Sequence, residues 1–194
     1  MVKKIIIFES VKGAGKTVLS SELGKCLKNS VVLDENITLK PIKHSANKKI
    51  DEDEYLKIIE EIRASEFDFY LVDRFHYTKW PCLNYDKEYF NKIECSLFNG
   101  FEVYFVFLKI REKCLLKRLN ETYEYRRSSG WKLNYDGVSI EEEAGKDIKW
   151  QKFFLENQFK DSKVENKLVL DTSDLNKDIG NLDEYVQEIL KFVS

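Results

Sequence analysis

Chemistry concentrates in one eight-residue run, Ser10-Val11-Lys12-Gly13-Ala14-Gly15-Lys16-Thr17, which follows the apolar segment Ile5–Phe8 and opens a helix-like stretch beginning near Val18. A strand, then a glycine-rich turn, then a helix ending the pattern in Lys-Thr is the arrangement that binds the phosphates of a nucleoside triphosphate. Gly13 and Gly15 free the backbone to turn its N–H groups inward, and the helix N-terminus adds a favourable dipole for an anion. Lys16 then reaches the β- and γ-phosphates, and the Thr17 hydroxyl ligates Mg²⁺. Gly13, Ala14, Gly15, Lys16, Thr17 and Val18 are therefore the expected nucleotide-binding residues, with a nucleoside triphosphate and Mg²⁺ as the expected ligands. One position departs from the pattern: Ser10 stands where glycine is expected.

Such a loop needs a carboxylate on a neighbouring strand to hold the metal's water shell. The run Phe67–Val72 ends in Asp73-Arg74. Asp73 is expected beside Thr17 as the second metal residue, with Arg74 free to bind an anionic or hydroxyl group of a second substrate.

These residues need a sheet to hold them. Ile5–Phe8, Val31–Leu33, Phe67–Val72, Val103–Leu108 and Leu168–Leu170 are short apolar runs suited to strands buried on both faces of a parallel sheet. Helices are expected after Thr17 and over Asp51–Ala64, Asp86–Phe98, Glu112–Leu119, Ile140–Phe159 and Leu182–Phe192. The alternation predicts an α/β fold, a doubly wound parallel five-stranded sheet with flanking helices, and ligands beyond the carboxyl ends of its strands. From Asn120 to Gly137 no period is sustained, and residues 120–137 are read as a lid. The chain of 194 residues suits one domain.

A net charge of −2 removes any global positive field for nucleic acid. The cysteines Cys26, Cys82, Cys95 and Cys114 are scattered and only His44 and His76 could assist them, so free thiols are expected rather than zinc. Apolar stretches of strand length predict neither a signal peptide nor a membrane span, and a cytoplasmic protein is the expectation.

Phe8-Glu9-Ser10 through Lys16-Thr17, followed by Val72-Asp73-Arg74-Phe75-His76, resembles the thymidylate kinase and deoxynucleoside kinase superfamily of P-loop kinases. The resemblance spans nearly the whole chain, although only these two motifs are specific. It implies phosphoryl transfer from ATP to a nucleoside or nucleoside monophosphate. Glu9, Arg74 and Phe75 would meet the acceptor, and Arg126 and Arg127 would be lid arginines over the transferring group, with Arg118 behind them. Asp171-Thr172-Ser173 looks like the family's adenine-side loop. The family often forms homodimers.

The resemblance leaves the acceptor open. Asp73-Arg74-aromatic is the thymidylate kinase form, whereas Glu35 without a preceding arginine is closer to the nucleoside kinases, where it would act as the base. Lys43 and Lys79 are further cations for an acceptor phosphate; Phe75, Tyr77 and Trp80 are either pocket walls or core. A nucleoside monophosphate is the preferred expectation and a 5′-hydroxyl the alternative. A regulatory GTPase lacks its Asp-x-x-Gly and Asn-Lys-x-Asp motifs here. A nucleotide-binding regulator without transfer activity stays open because of Ser10, and a kinase of polynucleotide ends lacks a basic stripe.

Overall fold

The computed structural model describes residues 2–42, 45–79, 86–130, 138–175 and 181–194. Its strands are β1 (Lys3–Ser10), β2 (Ser30–Leu33), β3 (Phe69–Asp73), β4 (Phe101–Lys109) and β5 (Asn166–Asp171). They form one sheet in the order β2-β3-β1-β4-β5, and every pairing is parallel. This is the expected doubly wound architecture. Parallel neighbours need long crossovers, which the helices supply. These are α1 (Lys16–Cys26), α2 (Glu35–Thr38), α3 (Lys48–Ala64), α4 (His76–Lys79), α5 (Lys87–Phe98), α6 (Glu112–Ser128), α7 (Ile140–Glu156), α8 (Gln158–Asp161) and α9 (Leu182–Val193).

β1 is central because its side chains are apolar on both faces. Successive residues of a strand point to opposite sides, so Ile5 and Ile7 enter one core with residues of α3 and α5. Ile6 and Phe8 enter the other with residues of α1, α6 and α9. Aromatic rings fill much of the first core: Phe107 stacks on Phe154 at 4.6 Å between centroids, and Tyr77 on Phe105 at 4.7 Å. Phe75 and Tyr77 are each 1% exposed and belong to this core.

Two sequence expectations are corrected. α3 starts at Lys48 under an Asn47 cap rather than at Asp51, because the Asn47 side chain accepts from the Lys49 N–H. The stretch from Asn120 is not irregular at its start, because α6 continues to Ser128. Leu115, Leu119 and Tyr123 recur at helical spacing on its buried face, and the polar side chains between them hid that stripe. Residues 131–137 of the expected lid lie outside the described residues, as do Lys43, His44, Trp80 and Cys82 and the side chain of Lys79. No described helix is long and apolar enough to cross a membrane.

Gln151 of α7 ties this helix to the carboxyl end of β4. Its side chain accepts from the Ile110 N–H at 2.9 Å and donates to the Ile110 carbonyl at 2.8 Å, and it is 5% exposed. Gln151→Met fills the same space without those bonds and orphans two buried backbone groups. The expected loss is about 2–4 kcal/mol of stability, read as a lower midpoint in urea unfolding at unchanged slope.

Candidate active site

The site forms where β1 and β3 end. Gly13 (φ 74°) and Gly15 (φ 93°) adopt left-handed backbone between β1 and α1. At Gly15 a Cβ would also press on the end of the Leu175 side chain. Gly15 is the N-cap of α1 and supplies no side-chain cap. The first N–H groups of the helix therefore lack an internal acceptor, the arrangement that suits an anion.

Ser10 does not strain this loop. It is the last residue of β1, fully buried, and its φ is not positive. Its hydroxyl donates to the Val11 carbonyl at 2.8 Å and accepts from Lys16 Nζ at 2.9 Å. Lys16 is thus folded back onto its own loop, 7% exposed. Burial lowers its pKa to about 8, helped by the Arg74 charge and opposed by Asp73, Glu35 and Glu9.

The expected metal pair is brought together. Thr17 Oγ1 donates to Asp73 Oδ2 at 2.6 Å, and Asp73 Oδ1 is buried without a hydrogen-bond partner. A buried carboxylate oxygen with no donor is a place for a cation or its water, so the pair fits Mg²⁺. Mg²⁺ keeps several waters and takes its other ligands from phosphates, so two protein oxygens suffice.

Arg74 is a non-glycine residue in left-handed backbone (φ 66°), held there as its N–H donates to the Phe8 carbonyl at 3.0 Å. The turn aims its guanidinium at the carboxyl end of β2, where Nε lies 2.5 Å from Glu35 Oε1. Glu35 opens α2 behind an Asp34 cap, and the Thr38 hydroxyl donates to the Asp73 carbonyl at 3.3 Å, tying α2 to β3. Glu9 is fully buried. It accepts from the Phe75 N–H at 2.9 Å and from the Thr78 hydroxyl at 2.5 Å, so its carboxylate braces the exit of β3. Burial raises the Glu9 pKa to about 7, with Arg74 the main opposing influence.

Arg118 supports the loop from behind. It donates to the Gly13 carbonyl at 2.9 Å and to the Leu175 carbonyl at 2.5 Å, while the Thr172 hydroxyl donates to the Ala14 carbonyl at 2.9 Å. Arg126 lies one turn beyond Thr122, the residue that a Cβ on Gly13 would touch, and Arg127 follows in the last turn of α6. Sequence reasoning missed the acidic pair Glu143 and Asp147 of α7. Glu143 pairs with Lys12 of the loop, and Asp147 follows one turn on with its Oδ2 buried and without a hydrogen-bond partner. Their i, i+4 spacing was visible, but not that this face of α7 meets the loop.

No family model matches the chain, and no curated protein matches it. Solved structures do resemble it. Shikimate kinase from Bacteroides thetaiotaomicron is 15% identical with a TM-score of 0.60, covering 97% of this chain and 97% of that one. A gluconokinase from Sinorhizobium meliloti 1021 is 15% identical with a TM-score of 0.55, covering 98% and 91%. Polyphosphate Kinase 2 from Arthrobacter aurescens TC1 is 14% identical with a TM-score of 0.63, covering 99% and 68%. At these identities the likeness is one of fold.

Glu9 makes stability depend on pH with a definite sign. Its pKa near 7 in the folded protein exceeds the ordinary 4.5, so between those values the folded state holds a proton that the unfolded chain has released. Stability from this group therefore falls as pH rises from about 4.5 to 7 and levels off above. Glu9→Gln should remove that slope, as measured by urea unfolding across the window; an unchanged slope would mean that Glu9 does not cause it.

Proposed function

We propose that the protein is a Mg²⁺-dependent phosphotransferase that moves the γ-phosphoryl group of ATP to a hydroxyl group of a small molecule, a nucleoside 5′-hydroxyl being the first candidate. The Glu35–Arg74 ion pair carries this reading. It joins the ends of β2 and β3 near Lys16, and puts a carboxylate paired in charge with a guanidinium where a second substrate would enter.

Backbone N–H groups from Gly13 to Val18 and the Lys16 ammonium bind the phosphates. The triphosphate replaces the Ser10 hydroxyl as the partner of Lys16. Thr17 and Asp73 would hold Mg²⁺, which would neutralise negative charge on the phosphates. Arg74 orients the acceptor. Glu35 takes the proton of the acceptor hydroxyl as its oxygen bonds to the γ-phosphorus and the bond to the β-phosphate oxygen breaks, leaving ADP. Arg126 and Arg127 would close over the transferring group, within a lid continuing into residues 131–137. The protein would act in the cytoplasm.

Charge favours a hydroxyl over the nucleoside monophosphate expected from the sequence. A phosphomonoester dianion is best held by several cations. Among the described residues the mouth sets Glu9, Glu35 and Asp73 against Lys16 and Arg74, and Lys16 is needed for ATP. Two of the structural neighbours are named for small hydroxyl-bearing compounds, shikimate and gluconate, which lends the hydroxyl reading indirect support.

Turnover of ATP in the presence of Mg²⁺ against a panel of nucleosides, their 5′-monophosphates and polyhydroxy acids decides the acceptor. Stimulation by monophosphates alone would overturn the hydroxyl reading. Glu35→Gln should lower kcat by about 10²–10⁴ with a small change in KM, whereas a monophosphate acceptor, already a nucleophile, would leave kcat nearly unchanged. Lys16→Ala should cost about 10²–10³ in kcat. Asp73→Asn should fold normally and lose most metal-dependent activity, and a loss of fold would reduce Asp73 to a strand cap. Nucleotide affinity should also fall as pH rises past about 8, because Lys16 there loses its proton in the free protein while bound phosphate retains it.

A further inference from the structure

A second concavity lies where β4 hands over to α6. It is a cleft of about 400 Å³, a volume within the range of small-molecule sites. One wall is the turn Lys109-Ile110-Arg111-Glu112. The other is a face of α7 on which Ile148, Gln151, Lys152 and Leu155 recur at helical spacing. Gln151 ties the walls together, since its side-chain amide bonds both backbone polar groups of Ile110. None of Lys12, Lys16, Glu35, Asp73 or Arg74 lines this cleft, so it is separate from the phosphate loop and its partners.

The lining combines two kinds of surface. Ile110, Ile148 and Leu155 form its apolar part, while Lys109, Arg111 and Lys152 set positive charge against the single carboxylate of Glu112. Arg111 is partly engaged: it pairs with Asp174, and its Nε stands 3.7 Å from Asp171 Oδ2 without a hydrogen bond. The Lys109 and Lys152 ammonium groups have no hydrogen-bond or ion-pair partner among the described residues. α6 adds the positive end of a 17-residue helix, whose N-cap Arg111 gives no side-chain bond to the first N–H groups. In a chain of net charge −2, positive charge therefore gathers here with too little carboxylate to neutralise it.

We propose that this cleft is a second ligand site, which binds a small organic phosphate: a phosphomonoester dianion carrying an apolar group. Two unpaired ammonium groups match a dianion better than a monoanion, and the guanidinium and the helix end add donors that suit phosphate oxygens. Ile110, Ile148 and Leu155 cover the apolar group, which sets this ligand apart from inorganic phosphate. The site rests neither on the reading of the loop as a nucleotide site nor on the identity of the acceptor.

The test is calorimetric titration of the whole protein with phenyl phosphate, beside inorganic phosphate, benzoate and phenol. Phenyl phosphate should bind saturably, about tenfold more tightly than the other three, and more weakly as salt is raised. Lys109→Gln and Lys152→Gln should each weaken it about tenfold. Because neither ammonium has a partner, both variants should keep the wild-type midpoint in urea unfolding. Lys16→Ala removes the cation of the phosphate loop and should leave this binding unchanged. Binding lost in Lys16→Ala but kept in the two cleft variants would put the anion at the phosphate loop and overturn the proposal. Equal affinity for inorganic phosphate would mean an adventitious ion only, and equal affinity for benzoate would overturn the choice of a phosphate. Absence of saturable phenyl phosphate binding by the wild type would remove the site altogether.

Discussion

Burying the Lys16 ammonium at the end of β1 is the requirement around which the other site residues are arranged. Its burial removes hydration that a cation gives up only at a cost. Ser10 supplies one oxygen at 2.9 Å, and Asp73, Glu35 and Glu9 supply opposing charge from three different segments. Each of those carboxylates is held by its own partner: Asp73 by Thr17, Glu35 by Arg74, Glu9 by the Phe75 N–H and Thr78. The cation of the loop is thus balanced through a network that reaches β2 and β3. The parallel sheet makes that possible by ending these strands side by side.

The two sides of this network differ in kind. Behind the loop the contacts are structural: Arg118 and Thr172 bind the carbonyls of Gly13 and Ala14, and Leu175 closes against Gly15. These groups fix the backbone so that its N–H groups point the other way. In front, the contacts are between charges with polar atoms still unsatisfied, notably Asp73 Oδ1 and Asp147 Oδ2. The unsatisfied front atoms are what a binding site requires, because the front is completed by what enters.

The strand-turn-helix motif and the carboxylate ending β3 were legible because both are local: a fixed spacing of glycines, lysine and threonine, and one apolar run with polar residues at its end. Other features were hidden for identifiable reasons. α6 beyond Asn120 was missed because its buried stripe of Leu119 and Tyr123 is diluted by charged residues. Phe75 and Tyr77 read equally well as pocket or core, and only packing against Tyr55, Phe90 and Phe105 placed them in the core. The roles of Ser10 and Arg118 depend on partners 6 and 105 residues away.

By itself the sequence determined the alternation of buried strands and amphipathic helices, and with it the parallel sheet and the loop at the end of β1. Those follow from hydrophobic period and glycine stereochemistry, which act over a few residues. Tertiary structure decided which charges meet. Glu35 finds Arg74 because β2 and β3 are neighbours, and α7 brings Glu143 to Lys12 across more than 130 residues of chain. Electrostatic interactions depend on distance in space and on burial, and neither is written in the order of the residues.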